Sequence, residues 1–290
     1  MANHGEGGAG MVKGDGDGET AESALAALPV PLGRAFAGAL IFSLPMLMTM
    51  EMWSLGASMD PFRLALLLGV SVPLLIGLGR IAGFRETSCW SDDIADAFVA
   101  MVVATVTAIA ILAVFGALGP GMSAREMIGK VALQAVPGSI GALLARSQLG
   151  QESPEDGEPR STYFGEVFLM AVGALFLSFN MAPTEEIMLI SYGMGAWQKI
   201  ALILASLAIM HIFVYEVGFS GQEAPGSETG GWSLFARFSV VGYCVVLAVS
   251  LAVLWIFGRT DGLGLEQLLG ATIVLAFPGA IGAAAARLIL

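Results

Sequence analysis

The sequence predicts an all-α, polytopic membrane protein of eight transmembrane helices, built from two parallel four-helix repeats. Composition is the first reason. Hydrophobic residues make up 56% of the 290 and charged residues 13%, with a mean hydropathy of +0.80. Soluble domains carry roughly 25% charge, so this chain cannot cover a water-facing surface. The second reason is the number of long apolar windows, and the third is that two blocks of sequence recur.

From the N-terminus, residues 1–30 form a Gly-rich acidic tail, expected to be disordered. It lacks the basic and apolar regions of a signal peptide. Lys13 to Glu19 has a passing likeness to a calcium loop but lacks the bidentate glutamate that would close one. A helix needs about 20 apolar residues to span hydrocarbon. Eight windows meet or approach that: 34–56, 62–83, 95–118, 125–146, 164–190, 197–217, 234–257 and 265–287. Charged, Pro- and Gly-containing stretches at 84–93, 147–163 and 218–233 read as loops, and Asp60-Pro61, Gly119-Pro120-Gly121 and Thr260-Asp261-Gly262 as tight turns.

Gly38-Ala39-Leu40-x-x-Ser43-x-x-Met46-x-x-Thr49-x-Glu51 returns 135 positions later as Gly173-Ala174-Leu175-x-x-Ser178-x-x-Met181-x-x-Thr184-x-Glu186. Ala135-x-Pro137-Gly138-x-Ile140-Gly141-Ala142-x-x-Ala145-Arg146 returns 141 positions later, from Ala276 to Arg287. The halves are therefore 31–147 and 163–290, joined by an acidic cytoplasmic linker at 148–162. Four helices is an even number, so both halves enter the membrane from one side, as a parallel repeat. Lys and Arg favour that side: Lys13, Arg34, Arg80, Arg85, Arg146, Arg160, Arg237 and Arg287 stand against Arg63, Arg125, Lys130, Lys199 and Arg259. The bias puts both termini in the cytoplasm, and the expected location is a bacterial inner membrane.

A carboxylate inside an apolar run is costly and marks an ion or proton path by default. Glu51 follows Arg34 by 17 residues, about 25 Å along a helix, in the outer part of the hydrocarbon. Glu186 is its repeat partner, with Glu185 adjacent. Thr49, Thr184, Asn180, Ser43 and Ser178 supply oxygens nearby, and Pro45 and Pro183 free backbone carbonyls, so a cation site at Glu51 and Glu186 is one expectation. The competing reading makes Glu51 an interfacial residue, and Glu185 and Glu186 the acidic first turn of a new helix. Pro137-Gly138 and Pro278-Gly279 each interrupt a spanning window near its middle, either as helix breaks at a binding site or as kinks with close packing.

His211 lies deep in the sixth window, as a proton relay or a hydrogen-bonded core residue. Asp92, Asp93 and Asp96 read as a helix start, and Met46 and Met181 as packing. Cys89 and Cys244 are too few for a disulfide framework or zinc motif. No enzyme motif, cofactor site or basic surface for nucleic acid stands out, so an enzyme is not expected.

Pro45 through Trp53 and Asn180 through Ile187 resemble a family of bacterial integral membrane proteins of unknown function, which would cover most of 31–290. That resemblance implies a class and no activity. Asn180 through Glu185 is also similar to the Asn/Pro/Glu repeats of cation/calcium exchangers. Those use inverted repeats of odd helix number, so this short likeness reads as convergent.

Two functions remain open. In the first, the protein transports a cation or proton as a channel or proton-coupled carrier, with the two carboxylates facing each other across helices one and five. A homodimer would present four. In the second, it is a non-transporting scaffold or regulatory subunit, with both glutamates hydrogen-bonded between those helices.

Overall fold

The structure, a computed structural model, describes residues 29–81, 90–148, 162–216 and 235–289. The expected disordered tail with its Lys13–Glu19 stretch, most of the acidic linker, and Cys89 lie outside the described residues. Among those described there are ten α-helices and no strand. They are α1 (Pro29–Leu47), α2 (Met50–Ser58), α3 (Pro61–Ile81), α4 (Trp90–Val114), α5 (Ala124–Gln148), α6 (Tyr163–Met181), α7 (Glu186–Gly193), α8 (Ala196–Glu216), α9 (Val241–Ile256) and α10 (Leu265–Ile289). A π-helical turn, Phe235–Val240, leads into α9. All except the short α2 and α7 are long and apolar enough to cross a membrane, which makes the eight expected spans.

Local chemistry sets the helix starts. Asp60 Oδ1 accepts from the amides of Phe62 and Arg63 at 3.0 and 3.1 Å, and Pro61 needs no partner there. Ser123 Oγ accepts from Glu126 N, and Thr162 Oγ1 from Gly165 N, each at 3.2 Å. Gln198 and Gln267 turn their side-chain oxygens back onto Gly195 N and Gly264 N at 2.7 and 3.1 Å. These contacts satisfy amides that the first helical turn leaves unpaired.

Helices α5 and α10 sit innermost. The membrane window of α5 is 83% buried and that of α10 61%, against at most 39% in the other spans. Glycine makes this possible. A Cβ on Gly38 of α1 would overlap the Gly141 carbonyl and Ala145 of α5; one on Gly141 would overlap the Gly38 carbonyl and Phe42. In the second half a Cβ on Gly173 of α6 would overlap the Gly282 carbonyl and Ala286 of α10. One on Gly282 would meet the Gly173 carbonyl and Leu177. Lipid tails are as apolar as side chains, so helices associate through close backbone packing, which small residues allow. These four glycines are therefore packing positions.

A core cluster of Met46, Met52, Leu133, Phe179, Ile187, Phe257 and Leu275 joins both halves near the short helices. Phe42 and Phe176 touch across α1 and α6, with ring centroids 4.9 Å apart.

Three expectations need correction. The windows 34–56 and 164–190 are not single helices: α1 stops at Leu47 and α6 at Met181, and α2 and α7 start afresh after short turns. Pro45 lies two residues before the end of α1, and Pro183 lies in the turn after α6, where a missing backbone donor favours stopping. Pro137 and Pro278, by contrast, do not break α5 and α10, which run continuously through them. Each proline removes one backbone bond, and packing of the innermost helices on several neighbours offsets that loss. His211 falls in the last third of the described part of α8, not at its middle.

Candidate functional site

Both interrupted helices turn at the same level of the bundle. Leu47, the last residue of α1, packs with Leu112 of α4 and Ala117 just beyond it. Phe179, near the end of α6, meets the ring of Phe257, the C-cap of α9, at a centroid distance of 4.8 Å. The two breaks therefore lie near the ends of α4 and α9, and α2 and α7 pack beside the first turns of α5 and α10, where Gly56 meets Gly129 and Lys130 and Ser191 meets Gly270; this end of the bundle is the Glu51 face.

At the first break, Thr49 is the N-cap of α2 in an extended conformation (φ −102°, ψ 115°), and Glu51 stands in that helix's first turn. The Thr49 hydroxyl donates to the Pro45 carbonyl, so it is not aimed at the glutamate. Trp53 Nε1 donates to Leu47 O at 2.9 Å, and Gln134 Nε2 of α5 reaches Met46 O at 3.1 Å. These bonds satisfy carbonyls left by the end of α1. The Glu51 side chain is exposed.

At the second break, Glu185 is the N-cap of α7 and Glu186 its first residue, both exposed. The Glu186 carboxylate is held below its ordinary range, chiefly by its own backbone N–H and then by the Thr184 hydroxyl, with Arg259 adding a smaller attraction. Thr184 Oγ1 also lies 2.9 Å from Met181 O. Arg259, from the turn after α9, donates to the Pro183 carbonyl. Acids in a first turn favourably face the positive end of the helix dipole. The two glutamates are thus not hydrogen-bonded to each other across α1 and α6; each stands in the first turn of a fresh short helix.

The remaining candidates are mostly occupied locally. Ser43 Oγ donates to Ala39 O at 2.6 Å, and Asn180 Nδ2 to Phe176 O at 2.8 Å. Ser178 Oγ lies 3.4 Å from Ser250 Oγ. His211 Nδ1 lies 3.2 Å from Ser239 Oγ, with its ring edge-on to Phe235 at 5.1 Å. His211 is thus a hydrogen-bonded residue in the last third of the described α8, away from the turn that joins α8 to α7. Among the described residues no group of three or more His, Cys, Asp or Glu is placed to hold a metal ion.

The structure also shows residues that sequence reasoning passed over. Arg63 of α3 makes a two-pronged pair with Asp261, at 2.9 and 2.7 Å, and its guanidinium lies 5.1 Å from the Trp255 ring centroid. The pair ties the first half to the second and borders a cavity of about 350 Å³. Gly258 beside it has φ +72°, and a Cβ there would come within 3.0 Å of Arg63 Nη1. Arg63 holds the Asp261 carboxyl below its ordinary range by hydrogen bonding and charge. Both partners lie in or next to turns read on one side of the membrane, which was the available signal. Lys130, buried in α5, pairs with Glu126 at 2.9 Å and donates to Ala117 O at 3.2 Å. Gln134 Oε1 and Asn180 Oδ1 are buried at the two breaks without a donor. An apolar cavity of about 200 Å³ lies between Phe42, Leu144, Phe176 and Gly282.

Residues 31–290 match the family described as "Putative integral membrane protein (DUF2391)", and the chain belongs to that family, as its resemblance implied. Comparison with curated proteins and with solved structures finds no match.

Proposed function

We propose that this member of the integral membrane family is a non-transporting scaffold or regulatory subunit, whose repeated glutamates begin helices at the membrane surface. One observation carries the reading: Glu51 and Glu186 are exposed and stand in the first turns of the short helices α2 and α7, outside the eight long spans. Within the spans, the buried hydroxyls of Ser43, Thr107, Ser139 and Thr272 donate to carbonyls of their own helices. No catalytic role is part of it.

The protein would be a duplicated four-helix unit, 31–147 and 163–290, in parallel orientation. The glycine contacts support this. Gly38 meets Gly141 and Ala145, while Gly173 meets Gly282 and Ala286, positions that differ by the same 135 and 141 residues as the sequence blocks. The Lys/Arg bias supports cytoplasmic termini in a bacterial inner membrane, with the Glu51 face outward.

A second reading, cation transport by a channel or proton-coupled carrier, is favoured by the unpaired amide oxygens of Gln134 and Asn180 beside the two breaks. With Glu51, Glu185 and Glu186 near the same breaks, these oxygens would supply cation ligands. Liposomes containing the purified chain and loaded with pH and cation indicators separate the two. The scaffold reading expects no proton, Na⁺, K⁺ or Ca²⁺ flux above empty liposomes. Flux that falls in both Glu51→Gln and Glu186→Gln would replace it with the transport reading.

A further inference from the structure

On the Glu51 face most basic side chains are already engaged: Arg63 by Asp261, Arg125 by Met59 O at 3.5 Å, Lys130 by Glu126, and Arg259 by Pro183 O. Lys199, in the first turn of α8, differs. Among the described residues no carboxylate lies within 4.0 Å of its ammonium, and it has no hydrogen-bond acceptor. It is half-buried, with its stem laid across Gly270 of α10. Ser191 of α7 arrives at the same place. Its hydroxyl is buried, the residue being 1% exposed, and has no partner.

The two groups converge. A Cβ built on Gly270 would lie 2.5 Å from Ser191 Oγ and 3.0 Å from Lys199 Nζ, so the two donors are neighbours over the bare α10 backbone. Only glycine lets them come this near the α10 backbone. Ser191 Oγ is a buried polar atom left unpaired, which is costly, and the partly solvated Lys199 ammonium beside it has no counter-charge, so an anion would serve both. The surroundings give its depth. Tyr192 is 53% exposed and Trp197 81%, on either side of the α7–α8 turn. Exposed Tyr and Trp mark the headgroup level of a membrane. Lysine is a common point-charge partner of phosphate, and basic pockets between spanning helices take anionic headgroups. The first half has no counterpart: Gly129 faces Gly56 there, and Leu64 stands 135 positions before Lys199.

We propose that Lys199 and Ser191, converging over Gly270, bind a phosphate group, carried by an anionic phospholipid headgroup or by free phosphate. The site is independent of whether the protein transports cations. Its test uses the full chain in detergent, with phosphatidylglycerol and inorganic phosphate as separate probes, read by native mass spectrometry and calorimetry. The wild type binds at least one probe. Lys199→Gln weakens that binding on the order of tenfold or more, Ser191→Ala weakens it less, and Lys199→Arg retains most of it. Phosphatidylglycerol that excess phosphate does not displace identifies the lipid; displacement identifies the free anion, and either supports the site. Should Lys199→Gln fail to give monodisperse protein, Ser191→Ala, which removes a single oxygen, carries the test. Binding of neither probe, or binding unchanged in the variants, overturns the proposal.

Discussion

The two helix breaks occupy matching places in the two halves, yet different chemistry holds them. At the first, neutral donors close the carbonyls: the Gln134 amide on Met46 and the Trp53 indole on Leu47. At the second, a cation does the work, with Arg259 on the Pro183 carbonyl and Glu186 nearby. The first turn has no proline between its helices, whereas the second has Pro183. What the halves share is the glycine contact of each interrupted helix with an inner helix, about two turns before its break. What differs is the chemistry of the bonds that satisfy the carbonyls at the break itself.

The largest expected effect comes from breaking what is shared. Gly141→Val and Gly282→Val each drive a side chain into the facing backbone, and overpacking of this kind costs about 1–3 kcal/mol or more. Both variants should lose most of their monodisperse protein by fluorescence-detected size exclusion. A wild-type elution profile for either would show that its half does not rest on this contact.

Next come the locks, where the halves should differ. Arg259→Met removes a charged donor, at about 1.5–3 kcal/mol, whereas Gln134→Leu removes a neutral one, at about 1 kcal/mol. Arg259→Met should therefore lower the thermal midpoint more. Equal shifts would mean that the charge at the second break adds nothing.

Acid sharpens the comparison further. The folded-state pKa values of Glu186 and Asp261 are both depressed, so their stabilisation is complete above the ordinary carboxylate range and is lost as pH falls through the lowered values. Unfolding midpoints should be flat from neutrality down to about pH 5 and then fall. Arg63→Gln should flatten part of that fall. An unchanged acid profile in Arg63→Gln would remove the Arg63–Asp261 pair from the explanation. The smallest effect is expected from Glu51→Gln, an exposed first-turn residue without a side-chain partner, whose midpoint should stay near wild type.

Much of this fold is legible in the sequence because spanning hydrocarbon demands long apolar runs, and eight such runs are present. The repeated Gly141 and Gly282 positions likewise suited close packing, since few residues allow backbones to touch, whereas their partners Gly38 and Gly173 stood in the sequence only as part of the repeat. The breaks were harder to see. Met48, Met50, Met52 and Trp53 are apolar like the span before them, so the apolar run passes the turn with only Thr49 and Glu51 to interrupt it. Proline was a guide at Pro45 and Pro183, where helices stop, and misled at the other pair. Pro137 and Pro278 sit in continuous helices because their neighbours hold the backbone, a property of the assembled bundle. The Arg63–Asp261 pair joins residues 198 apart, and nothing local announces it. The depth of the glutamates, on which function turns, depended on where α4 and α9 end relative to α1 and α6.

That depth is the central claim, and accessibility tests it most directly. In a chain with Cys89 and Cys244 replaced by serine, single cysteines at positions 51, 186 and 197 are exposed in sealed vesicles to a membrane-impermeant maleimide. If the glutamates stand at the surface, positions 51 and 186 label from the same side and at rates close to that of position 197. If position 197 labels while 51 and 186 stay protected until detergent is added, the carboxylates lie inside the membrane and the surface reading is wrong.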